Sequence, residues 1–287
     1  MAAVALKEPI PPLQADRISR RNFQRLSEYI YDYCGIKLPP TKMTMVEGRL
    51  RRRLRALNLT SFDAYCDFIF EQGGLEQENV YLVNALTTNK TDFFREPKHF
   101  EFLSRTALPE IIQRRPRRIK AWSAACSTGA EPYTLAMVID HALGDGPDIP
   151  YSILATDLST DVLAVARRGV YPEDMLEPTP KALRRKYVLE SKDRSAKLCR
   201  IAPALRAQVS FARMNLMDPA YPVDKDLDMI FCRNVLIYFD KPTQQAVLDK
   251  LCDHLRPGGY LFLGHSESIA GMTLPVTQVA NTGFRRR

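Results

Sequence analysis

The chain has 287 residues, 45% of them hydrophobic, enough to bury a real core and to suggest one large domain with a smaller companion. It contains no run of about 18 apolar residues, which argues against a transmembrane helix, and its six cysteines form no CxxC pair and stand apart from the four histidines, which argues against zinc and disulfide scaffolds. A net charge of +8 and a pI of about 9.2 point to an acidic partner, whether nucleic acid, an anionic membrane or an acidic protein surface.

Residues 1–16 are Pro-rich and lack an apolar signal core, so they read as a disordered lead-in. Residues 17–85 read as an N-terminal helical domain. Phe23, Leu26, Ile30 and Tyr33 recur at helical spacing, as do Val46, Leu50, Leu54 and Leu57, and then Phe62, Tyr65, Phe68 and Ile69. Gly35 and Pro39-Pro40 separate the first two helices, and Ser61 is a candidate N-cap for the third. Residues 86–116 read as a linker. From 117 to 287 the pattern changes to alternating strands and helices. Strands are expected at 119–124, 152–156, 209–214, 228–232 and 260–264, with helices at 132–143, 160–168 and 242–255. Such alternation implies an α/β domain built on a mainly parallel, Rossmann-like sheet, whose ligands bind at the carboxyl ends of the strands near the switch in strand order. Residues 170–208, rich in Pro and charge, read as an insertion within it.

Four stretches offer polar groups where such a sheet binds ligands. The turn 122–133 holds small residues and Gly129 before a helix, as nucleotide-type cofactor sites do, or is an ordinary strand-to-helix turn. Asp157 ends the second strand, placed to accept from ribose hydroxyls or to cap the next helix. Arg233-Asn234 follow a buried strand, with Tyr238 beyond, facing a ligand crevice or forming a plain loop. The segment Asn89 to Arg95 sets Asn, Thr and Arg beside two phenylalanines at the junction of the domains, as part of a site or as a capped linker.

Together these stretches resemble the CheR family of chemotaxis receptor glutamate methyltransferases. The resemblance rests on residues 86–96 (LTTNKTDFFRE), 122–133 (WSAACSTGAEPY), 228–240 (DMIFCRNVLIYFD) and 264–267 (GHSE), in that order, and extends from about residue 20 to the end. It implies an N-terminal all-helical domain, an S-adenosylmethionine-dependent methyltransferase domain, and a small inserted β-subdomain at 170–208. It implies cofactor contacts at Asn89, Thr91, Arg95, Glu131, Asp157, Asn215, Leu216, Arg233 and Asn234, with Arg95 and Tyr238 near the transferred methyl group and S-adenosylhomocysteine as product. The implied partner is the cytoplasmic helical region of membrane chemotaxis receptors, methylated during adaptation, with a receptor-tail peptide as a further ligand of the β-subdomain. A cytoplasmic location follows.

A glutamate carboxyl, with a reference pKa of about 4.3, is ionised at neutral pH, so its methylation requires positioning rather than a general base. Arg49, Arg51, Arg52, Arg53 and Arg55 crowd the second helix and are expected to meet the acidic receptor surface. Two rival functions have specific signatures. Methyltransferases of nucleic-acid amines carry an Asn/Asp-Pro-Pro-aromatic motif where this chain has Arg233 to Tyr238, so no nucleic-acid substrate is expected. A non-catalytic binding module would have no need of Arg95 and Tyr238.

Overall fold

The computed structural model describes residues 16–144 and 146–287, and the expected lead-in at 1–16 therefore lies, apart from Asp16, outside the described residues. The chain divides into two compact units, one ending at Thr87 and the other running from Thr88 to Arg287.

The first unit is helical: α1 (Arg20–Cys34), α2 (Met43–Ala56), α3 (Phe62–Phe70) and α4 (Leu75–Leu86). Gly35 closes α1 at φ 73°, and Ser61 caps α3 by accepting from the Ala64 N–H at 3.0 Å. Phe23, Leu26, Ile30, Val46, Leu50, Leu54, Phe62, Tyr65 and Ile69 are buried at the expected helical spacing. The α4 residues Leu82, Val83 and Leu86 complete this core.

Two of the arginines expected on a partner surface instead hold this unit together. Arg53 donates from Nε and Nη2 to the Glu78 carboxylate at 3.0 and 2.5 Å, and its guanidinium lies 3.9 Å from the Tyr81 ring centroid. Arg49 donates to the Leu86 and Thr87 carbonyls at 3.0 and 2.8 Å, satisfying the open end of α4. The physical reason is burial. Glu78 is only 2% exposed and needs a cation, and the last carbonyls of a helix need donors. Arg53→Met would leave Glu78, among the described residues, with the Tyr65 hydroxyl at 3.3 Å as its remaining side-chain donor. A destabilisation of about 3–5 kcal/mol is expected, read as a lower urea midpoint in circular dichroism. Trp122, the single tryptophan, reports on the other unit and serves as the internal control.

The second unit opens on α5 (Pro97–Phe102), a π-turn (Leu103–Ala107) and α6 (Leu108–Gln113). The expected linker at 86–116 is thus largely helical, with Leu103, Leu108 and Ile111 fully buried. Pro109 disguised it, because proline breaks a helical pattern, and the π-turn just before it absorbs the lost hydrogen bond. There follow β1 (Ile119–Ala124), α7 (Ala130–Leu143), β2 (Tyr151–Asp157), α8 (Thr160–Arg168), β3 (Val170–Pro172), α9 (Lys181–Tyr187), β4 (Val188–Glu190), β5 (Leu198–Ile201), α10 (Pro203–Arg206), β6 (Val209–Arg213), β7 (Leu227–Cys232), α11 (Lys241–His254), β8 (Leu255–Leu263), β9 (Val276–Ala280) and β10 (Gly283–Arg286).

Seven strands form one sheet in the order β6-β2-β1-β7-β8-β10-β9. The first five are parallel, and β10 runs antiparallel between β8 and β9. Trp122 of β1 sits opposite Leu154 of β2 and Ile230 of β7, fixing the centre of the sheet. Strand order reverses between β1 and β7, so the switch point lies at the ends of these two strands. Residues 170–201 supply a separate antiparallel sheet, β3-β5-β4. The closing pair β9 and β10 was not foreseen, because β9 is largely exposed and neither strand shows a clean apolar alternation.

Candidate active site

Three segments of the second unit meet at the switch point: the turn after β1, the residues after β7, and the stretch from Asn89 to Glu96. The β1 turn places Ala125 at φ 81° and Ser127 at φ 50°, and Gly129 turns at φ 93° into α7. A Cβ on Gly129 would sit 2.8 Å from that of Ala166, so only glycine fits there. Asp157, at the end of β2, holds this turn. Its carboxylate accepts from the Ser127 N–H at 2.8 Å and the Ser159 N–H at 2.9 Å. Burial raises the Asp157 pKa, against the pull of those N–H groups. The Leu158 N–H also pulls on it, which leaves about one of its roughly four lone-pair positions for another donor.

The stretch from Asn89 to Glu96 is docked on this turn. Ser127 Oγ donates to the Asn89 carbonyl at 2.6 Å, and the Phe94 N–H donates to Thr134 Oγ1 at 3.2 Å. Phe93 is fully buried and meets the Tyr171 ring edge-on at 5.0 Å. Arg95 and Thr91 are half-buried, and Arg95 Nη1 donates to the Lys90 carbonyl at 2.9 Å.

Arg233 joins the three segments. Its Nη1 donates to Glu131 at 2.9 Å, and its Nη2 donates to Glu96 at 2.8 Å and to the Arg95 carbonyl at 2.5 Å. Glu131 also accepts from Ser123 Oγ at 2.7 Å. The Arg233 side chain is 2% exposed, and its Nε–H has no partner among the described residues. One guanidinium between two carboxylates leaves a net negative charge in a buried place, which favours a cationic ligand. Burial opposes the charge on Glu96, yet Arg233, Asn234 and the His265 N–H together hold its carboxyl down at about 2.

Asn234 has φ 58°, and its Nδ2 donates to Glu96 at 3.2 Å. The buried Glu267 carboxylate fixes this backbone by accepting four N–H groups: Gly264 at 2.6 Å, Asn234 at 3.0 Å, Val235 at 2.9 Å and Leu236 at 2.8 Å. Non-glycine residues at positive φ therefore recur at this site: Phe94, Glu96, Ala125, Ser127 and Asn234. Such backbone persists only where its surroundings enforce it, and it clusters at functional sites.

The remaining expected residues lie on other strand ends or turns. Asn215 and Leu216 follow β6, with Asn215 Oδ1 accepting from the Met217 N–H at 3.0 Å. Tyr238 is half-buried in a single 3₁₀ turn after β7. The Arg95 guanidinium, expected beside it, donates one N–H to the Lys90 carbonyl. Sequence reasoning gave no separate roles to Glu96, Ser123 and Glu267. Glu96 and Glu267 sit within the quoted stretches, but nothing in their spacing shows that they serve Arg233 and Asn234.

Residues 21–87 match the family described as CheR methyltransferase, all-alpha domain, and residues 89–284 match CheR methyltransferase, SAM binding domain. A "Chemotaxis protein methyltransferase 2" of Pseudomonas aeruginosa is 42% identical over 276 residues, covering 96% of each chain. A "Chemotaxis protein methyltransferase" of Escherichia coli is 41% identical over 88% of this chain and 86% of its own. One of Borreliella burgdorferi is 38% identical, covering 88% and 90%.

Proposed function

Because this chain belongs to the CheR methyltransferase family, and is thus an S-adenosylmethionine-dependent methyltransferase, we propose that it esterifies glutamate side chains of chemotaxis receptors in adaptation. The observation that carries this reading is the buried Arg233, held between Glu96 and Glu131 at the switch point of the sheet. The net negative charge there fits a cationic cofactor, and the Asp157 carboxylate at the end of β2 fits a ribose hydroxyl.

When bound, S-adenosylmethionine supplies a methyl group on a sulfonium centre. Asn89, Thr91, Glu131, Asp157, Asn215, Leu216, Arg233 and Asn234 hold the cofactor in this reading. Arg95 uses one N–H on Lys90 and keeps others for the substrate carboxylate. Tyr238 supplies a hydroxyl near the same place. No side chain is asked to remove a proton, because the glutamate is already ionised. Arg95 must hold the carboxylate loosely, since charge falls as the methyl transfers, and tight ground-state binding would slow the step.

The test is transfer of labelled methyl to receptor-bearing membranes. Base-labile label on receptor protein is expected, and base-stable label or label on nucleic acid would overturn the proposal.

For receptor recognition, Arg49 and Arg53 are occupied inside their unit, and Arg51 reaches the Asp16 carbonyl and lies 5.5 Å over the Phe62 ring. Arg52 and Arg55 are exposed, and we assign them to the acidic receptor helices. The double charge reversal Arg52→Glu/Arg55→Glu is expected to raise KM for receptor membranes about tenfold, more at low salt, with cofactor affinity unchanged by calorimetry. Parallel loss of both would rule this out.

The receptor-tail peptide is assigned to the small sheet, where the edge strand β4 carries Leu189, 50% exposed, beside Leu198, 39% exposed. The enzyme works at the cytoplasmic side of its membrane receptors, and no helix of the described residues is long and apolar enough to cross a membrane.

A further inference from the structure

We propose that Glu96, His99 and His265 form a binding site for a divalent transition metal of the zinc type, and that the ion opposes the cofactor site by drawing Glu96 away from Arg233. The site rests on these three side chains alone and does not depend on the methyl acceptor proposed above.

Glu96 lies just before α5, His99 within it, and His265 on the turn after β8. Each offers a ligand atom, and these atoms all lie within 4.8 Å of one another. Glu96 Oε2 is 3.6 Å from His99 Nδ1 and 3.9 Å from His265 Nε2. Ligands around tetrahedral zinc stand about 3.3 Å apart, given metal–ligand bonds of about 2.0–2.1 Å. The two Glu96 contacts therefore need to close by only about 0.3 and 0.6 Å, and His265 is free to move because its side chain is 36% exposed. Two histidines and a carboxylate are also a common zinc ligand set.

His99 gives the second reason. Its Nε2 faces two oxygens, the Asn281 carbonyl at 3.2 Å and Thr282 Oγ1 at 2.8 Å. A carbonyl can only accept, so Nε2 carries the proton. Nδ1 then presents a bare lone pair. It is buried and has no hydrogen-bond partner among the described residues. What it faces is the Glu96 carboxylate, another acceptor. A bare, buried lone pair facing a partly buried carboxylate asks for a cation between them, beyond the Arg233 guanidinium that Glu96 already holds. A ligating histidine whose other nitrogen donates to a backbone carbonyl is the usual outer-shell pattern of metal sites.

Charge gives the third reason. Arg233 balances one of Glu96 and Glu131, and the other is left over. The ion and Arg233 share Glu96, so each weakens the other's hold. Cofactor affinity and metal affinity must then be coupled with the same factor in both directions.

The test uses the full chain stripped with a chelator and titrated with Co²⁺ as a spectroscopic probe. Visible ligand-field bands saturating at one equivalent are expected, and they should vanish in His265→Ala. That side chain is exposed, so its loss leaves the core intact. Zn²⁺ is then expected to weaken S-adenosylmethionine binding about tenfold by calorimetry in the parent chain and not in His265→Ala. Absence of the bands, or bands that survive in His265→Ala, for example from cysteine thiolates, would overturn the site. A saturated metal site with unchanged cofactor affinity would overturn the coupling.

Discussion

Arg233→Met is expected to abolish measurable S-adenosylmethionine binding and to destabilise the second unit by about 3–5 kcal/mol, followed by Trp122 fluorescence in urea. Among the described residues the guanidinium is the sole cation on Glu131 and the one nearest Glu96, and it also caps the Arg95 carbonyl. A methionine fills the same volume but leaves two partly buried carboxylates without their shared guanidinium and a carbonyl without its donor. The segment carrying Asn89, Thr91 and Arg95 would lose its anchor to β7. Arg233→Lys is expected to fare little better, because one ammonium cannot span three acceptors held in a fixed fork. Adding Glu131→Gln to Arg233→Met should restore part of the stability, since one partly buried, unpaired charge then disappears. Full stability in the single variant would show that the network contributes nothing to the fold.

Glu267→Ala is expected to cost about 3 kcal/mol or more, because four backbone N–H groups lose one shared acceptor. Glu267 makes no contact with the cofactor in the proposed reading, so it is a positioning residue. It holds Asn234 at φ 58° and aims the Asn234 amide at Glu96. Gly264 is part of the same device. A Cβ there would collide with the Asn234 side chain and lie 3.0 Å from Glu267 Oε2. Glu267→Gln keeps one acceptor oxygen, so it should recover roughly half of the lost stability. Cofactor affinity is expected to fall about tenfold in Glu267→Ala and less in Glu267→Gln. A stability loss with unchanged cofactor affinity would assign Glu267 to the fold alone.

How far the sequence could be read depended on whether a feature is local. From residue 119 onward strands and helices alternate strongly enough that β1 and α8 have the expected bounds. The caps Ser61 and Gly35 were legible because capping depends on the residue and its immediate neighbours. The helical content of 97–113 was not, since Pro97 and Pro109 interrupt a pattern that burial of Leu103, Leu108 and Ile111 makes helical. Five arginines in seven residues looked alike in the sequence, yet two of them answer needs created by other helices, the Glu78 carboxylate and the open end of α4.

The segment from Asn89 to Arg95 shows the same division. Its residue types, and the likeness of four stretches to one methyltransferase family, were readable from the chain alone, as was the absence of any need for a general base. Which groups hold that segment was decided by tertiary structure. Arg233 comes from 138 positions beyond Arg95 in the chain, and Ser127 from 38 beyond Asn89. The strand reversal between β1 and β7 brings them together, and the strained backbone at Phe94, Ser127 and Asn234 is held by Thr134, Asp157 and Glu267, all distant in sequence. Hydrogen bonds of that kind leave no periodic trace, because their donors and acceptors belong to residues that become neighbours only when the sheet has formed.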